Sequence, residues 1–148
     1  MPLYAGQDRS QLRQAWLEAW RKHREARPLE PLEAQLVDVM QAHPEYHPLL
    51  EQGPAAETLE WRPEGGESNP FLHMGLHMAV REAVATDRPA GIRDAWRALA
   101  TRAAAAHEAE HALLEALAET LWEAQRDGRA PDEAAWLERA RRRRSSRR

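Results

Sequence analysis

Apolar residues recur along most of this chain at steps of three and four, the spacing that puts them on one face of a helix. Leu12, Trp16, Ala19, Trp20 and His23 share such a face and predict a first helix from Asp8 or Ser10 to about Arg24. Pro28 and Pro31 then punctuate the chain, and Leu32, Leu36, Val39 and Met40 mark a second helix over residues 31–42. Pro44 ends or restarts that helix, because a proline lacks the amide donor and its ring crowds the preceding turn. Residues 52–68 are rich in Gly, Pro, Glu and Ser around Trp61 and read as one long loop. Asn69 can cap the next helix, with Pro70 at its first position, where a missing donor is harmless. That helix runs to about Ala85, with Leu72, Leu76, Val80 and Ala83 at the centre of its apolar face.

Asp87 to Gly91 is a breaker, after which Trp96 and Leu99 point inward on a helix from Ile92 to Arg102. A bend is expected near residues 103–106. The following helix carries Leu113, Leu114, Leu117 and Leu121 on its core stripe and stops at Asp127-Gly128. Pro131-Asp132 opens a last helix with Trp136 and Leu137. The pattern therefore predicts an all-α fold, a bundle of about five to six helices with the one long loop. It forms a single domain over residues 1–138, followed by a disordered arginine-rich tail over 139–148.

Composition adds to this picture in two places. Cysteine is absent, which excludes disulfides, thiolate metal sites and a cysteine nucleophile. The formal net charge is −3, but residues 139–148 hold seven arginines and no acid, leaving the first 138 residues at −10. An acidic body argues against a broad nucleic-acid face, so any such binding would rest on the tail alone and be salt-sensitive. No apolar run reaches the length of a membrane span, and residues 1–10 contain no secretory h-region, so no membrane partner is expected.

The candidate chemistry lies in the histidines. Six of the seven form pairs four residues apart: His43/His47, His73/His77 and His107/His111. Random placement would give roughly 0.3 such pairs. A four-residue step on a helix lets both rings approach one ion, and helix bundles build metal sites from facing helices in this way. His73 and His77 fall beside the apolar stripe of their helix. His107, His111 and Glu115 run along the edge of another, with Glu110 close to the stripe itself. Glu33, with His43 or His47, can complete the shell from the second helix.

The expectation is a transition-metal site, iron or zinc, one or two ions, between the His73/His77 and His107/His111 helices. The ligand set is His73, His77, His107, His111, Glu115, His43, His47, Glu33 and Glu110. Such a site suits a metal-dependent enzyme that activates water or dioxygen, or a metal or oxygen sensor. No nucleophile–base set and no phosphate-cradling glycine loop is visible, so the catalytic residues stay unassigned. The competing expectation is a metal-free interaction module whose arginine tail docks an acidic partner or nucleic acid. The sequence leaves a homodimer open and names no protein partner.

Several strings carry a family resemblance. They are His43-Pro44-Glu45-Tyr46-His47, Glu67 through His73 with His77, Glu110-His111 with Glu115, and Ala124-Gln125-Arg126 through Pro131-Asp132. Together they resemble a bacterial domain-of-unknown-function family, number 1841, over nearly the whole chain apart from the tail. The resemblance implies a small, cytoplasmic, single-domain protein and brings no activity with it.

Overall fold

The computed structural model describes residues 9–61, 69–102 and 106–146. The described residues are mostly helical, with no strand among them. The helices are α1 (Arg9–Arg24), α2 (Pro31–Gln41), α3 (His47–Leu50), α4 (Pro70–Thr86), α5 (Ile92–Arg102), α6 (Ala106–Asp127) and α7 (Glu133–Ser146). Short 3-10 turns at Pro44–Tyr46 and Gly53–Thr58 complete the set. The all-α expectation holds. The second 3-10 turn occupies the first part of the stretch read as a loop, and residues 62–68 of that stretch lie outside the described residues. So do Asp8, a candidate helix start, and residues 103–105, where a bend is expected. Among the described residues, no helix is long and apolar enough to cross a membrane.

The helix ends follow local rules. The Asn69 side-chain oxygen accepts from the amides of Phe71 at 2.9 Å and Leu72 at 3.2 Å, satisfying two otherwise orphaned donors of α4. Gly128 sits at φ +64°, and the Arg129 amide returns to the Ala124 carbonyl at 2.9 Å, closing the end of α6. Asp132 accepts from the Ala135 amide at 3.2 Å and starts α7.

The chain forms two compact units, residues 1–78 and 79–148. In the first, α1 packs on α2 and on the Gly53–Thr58 turn. Its core gathers Trp16, Trp20, Leu36, Val39, Met40, Leu50, Phe71 and Met74. Arg13 lines this core. It donates to the Glu57 carbonyl at 2.9 Å, and its guanidinium lies over the rings of Trp61 and Phe71 at 5.2 and 5.3 Å. Of the predicted apolar centre of α4, Leu76, Val80 and Ala83 are buried and Leu72 is 52 % exposed; Phe71, Met74 and Met78 are buried as well. Apolar residues lie on nearly every side of this helix, and the larger Phe and Met side chains fill the core. Leu32 on α2 is likewise exposed.

In the second unit α5, α6 and α7 pack pairwise. Ile92, Leu99, Leu113, Trp136 and Ala140 are buried, and the Trp136 indole N–H donates to the Leu113 carbonyl at 3.0 Å. Residues 139–146, read from sequence as tail, continue α7. Arg139 pairs with Glu123 and donates to the Thr120 hydroxyl at 2.9 Å, and Arg143 pairs with Glu119 at 2.8 Å. Arg139 and Arg143 thus have partners on α6, which presents its acids where α7 passes.

The junction from α4 to α5 is a two-way clasp. Asp87, at φ +53°, accepts from the amides of Gly91 at 3.1 Å and Arg93 at 3.0 Å. In return Arg93 donates to the Val84 and Ala85 carbonyls that end α4. The Arg93 and Gly91 amides, with the Arg93 charge, hold the Asp87 carboxyl below its usual range. A depressed folded value means stability that is present above the ordinary carboxylate pKa and lost as pH falls through the folded value. Asp87→Ala is therefore expected to lower the melting temperature at neutral pH. The gap to the natural protein should close as pH drops below the carboxylate range. A gap that stays constant down to acid pH would rule out the ionised cap.

Candidate metal centre

His43 lies two residues beyond the end of α2, just before Pro44, and is 1 % exposed. His73 and His77 stand one turn apart on α4, and His77 is fully buried. The rings converge. His43 Nε2 lies 3.1 Å from His77 Nε2, and His77 Nε2 lies 3.1 Å from His73 Nε2. Ring centroids are 4.5 Å apart for His43/His77, 4.8 Å for His73/His77 and 5.2 Å for His43/His73.

Proton positions follow from the acceptors. His43 Nδ1 is 2.8 Å from the Val39 carbonyl, which can only accept, so the neutral ring carries its proton on Nδ1. Its Nε2 then presents a lone pair towards His77. A single N–H on His77 Nε2 can serve one of its two neighbours fully, so three converging Nε2 atoms hold fewer protons than their contacts invite. A backbone carbonyl on the far nitrogen is also how metal-binding imidazoles are commonly oriented.

His47 is placed differently. Its Nε2 donates to the Met40 carbonyl at 2.8 Å, and its ring lies 4.6 Å from that of Trp20. Tyr46 stacks on His43, with centroids 5.5 Å apart and planes at 4°. Burial, with Glu45 nearby, raises its hydroxyl pKa. Its position between His43 and His47 was the only sequence signal for this tyrosine, and periodicity gave it no role.

On α6, His107 and His111 face one another with centroids 4.9 Å apart; His107 is exposed and His111 half-buried. The His43, His73 and His77 group lies in the first unit and the His107/His111 pair in the second. Nitrogens around tetrahedral zinc sit roughly 3.3 Å apart, from Zn–N distances near 2.0–2.1 Å.

The predicted carboxylates have other surroundings. Glu33 sits at the third position of α2, accepts from the Glu30 amide at 2.9 Å and pairs with Lys22 at 2.9 Å. The Glu30 amide first, and Lys22 second, lower its pKa. Glu110 takes the Arg81 Nε–H on both oxygens, at 2.9 and 3.2 Å. Glu115 is exposed on α6. His23, the unpaired histidine, lies 3.3 Å from the Gln41 amide and beside Trp20.

Fold and histidine group together define an all-α protein with a cluster of converging imidazoles. The chain belongs to the family described as "Domain of unknown function (DUF1841)", whose match spans residues 8–142. No curated protein and no solved structure matches it.

Proposed function

We propose that this protein binds one divalent transition-metal ion, zinc or iron, through His43, His73 and His77. The observation that carries the reading is the convergence of the His43, His73 and His77 Nε2 atoms at 3.1 Å, with the His43 proton held on the opposite nitrogen. Three imidazole donors suit one ion that keeps a fourth position open. Glu33 and Glu110 are supporting residues outside the coordination shell, each engaged by a cation. A divalent ion held by imidazoles polarises whatever occupies its remaining position, which is the chemistry a metal-dependent hydrolytic enzyme or a sensor requires.

The test is metal analysis of protein purified without a histidine tag, followed by equilibrium binding of zinc and ferrous iron to metal-free protein. About one equivalent of either ion is expected per chain. Less than about a tenth of an equivalent after incubation with excess of both would overturn the reading. His47→Ala, which removes a ring already committed to the Met40 carbonyl, is expected to leave the stoichiometry at one; its loss would show that the ligand set is wrong.

A further inference from the structure

Arg81 on α4 and Glu110 on α6 both lie in the second unit. The Arg81 Nε–H is shared between the two Glu110 oxygens, at 2.9 and 3.2 Å. Among the described residues, that N–H is the only part of Arg81 engaged in a hydrogen bond. A guanidinium held through Nε keeps its Nη1/Nη2 edge, a pair of parallel donors that matches one carboxylate. The Glu110 side chain is 13 % exposed and that of Arg81 37 %. The pair therefore hides its carboxylate and presents its donors.

These two residues border a pocket of about 190 Å³. The rest of its wall is Val80, Val84 and Ala85 from α4 and Trp96 from α5, all of the same unit. The volume suits one small ring, since an apolar cavity of roughly 150 Å³ accommodates benzene. Apolar walls with a charged group held in place are the composition of a small-ligand site.

We propose that this pocket binds a small aromatic monocarboxylate, its ring against Trp96 and Val84 and its carboxylate on the Nη edge of Arg81. Glu110 holds the guanidinium in place through Nε. The site shares no residue with the histidine cluster and does not depend on a metal ion.

The experiment uses the full chain, isotope-labelled at its tryptophan indole nitrogens and titrated with sodium benzoate at constant ionic strength. The Trp96 indole N–H resonance, assigned with Trp96→Phe, is expected to shift saturably with a dissociation constant of about 0.1–1 mM. Benzamide has nearly the same shape and no charge, and is expected to bind about tenfold more weakly or worse. Arg81→Gln is expected to bring benzoate down to the level of benzamide. That variant leaves the Glu110 carboxylate without its cation, so Arg81→Gln combined with Glu110→Gln serves if it does not fold. Arg81→Lys keeps the charge without the fork and is expected to recover only part of the affinity.

A Trp96 resonance unmoved by benzoate up to about 20 mM would overturn the site. Benzamide binding as tightly as benzoate, or benzoate affinity unchanged in the folded Arg81→Gln variant, would overturn the assignment of a carboxylate to Arg81.

Discussion

Zinc added to the metal-free protein is expected to raise its melting temperature by roughly 5–10 °C once free zinc is about a hundred times its dissociation constant. An ion that binds only the folded state stabilises it by about 2.7 kcal/mol at that excess. For a chain of this length each kcal/mol moves the midpoint by about 2–4 °C. His77→Ala should abolish most of that increment, because His77 Nε2 is the atom on which the contacts from His43 and His73 both fall. Removing one ligand from three should weaken binding by about a hundredfold or more, which brings the same zinc concentration down to the dissociation constant or below it. The quantity to compare is the zinc-induced increment, not the melting temperature itself, since removing a buried ring also costs stability. His23→Ala is the control, because His23 contacts Gln41 and Trp20. An equal increment in His77→Ala and the natural protein would show that zinc acts elsewhere.

Trp136→Ala is expected to destabilise the second unit by about 3–5 kcal/mol, the range for truncating a buried tryptophan. Trp136 is 6 % exposed and supplies the large side chain with which α7 meets α6. Its indole N–H also donates to the Leu113 carbonyl at 3.0 Å. Trp136→Phe retains most of the ring volume and removes that donor, so a loss of about 1–2 kcal/mol is expected. The order Ala, then Phe, then the natural residue should appear in denaturant midpoints read by near-ultraviolet circular dichroism. Small domains have only about 5–15 kcal/mol in total, so Trp136→Ala should leave the arginine-rich end of α7 susceptible to limited proteolysis at room temperature. A loss below about 1 kcal/mol in Trp136→Ala would mean that α7 does not depend on this contact.

These two expectations rest on different kinds of information. Trp136 was legible as an inward residue from its place behind the Pro131-Asp132 helix start, and the structure adds only the partner, Leu113. The histidine cluster was legible in part. The pairs His73/His77 and His107/His111 are four residues apart on helices whose ends are set locally by Asn69, Pro70 and Gly128, so each pair was bound to share a face. His43 was different. A proline beside it made its direction unreadable, and its approach to His77 joins residues 34 positions apart.

The amino-acid sequence by itself determined the helical class, most helix boundaries and the pairing of histidines within α4 and within α6. All of these depend on interactions within four residues or on the caps of one helix. Only the tertiary structure decided that His43 turns towards His77 while His47 turns to the Met40 carbonyl and Trp20. It also decided that Glu33 and Glu110 answer to Lys22 and Arg81, and that Arg139 and Arg143 reach the acids of α6. Each of these choices depends on which side chain lies across the packing contact. Helical periodicity fixes the face on which a residue lies, and leaves the neighbour opposite that face to the packing of the chain.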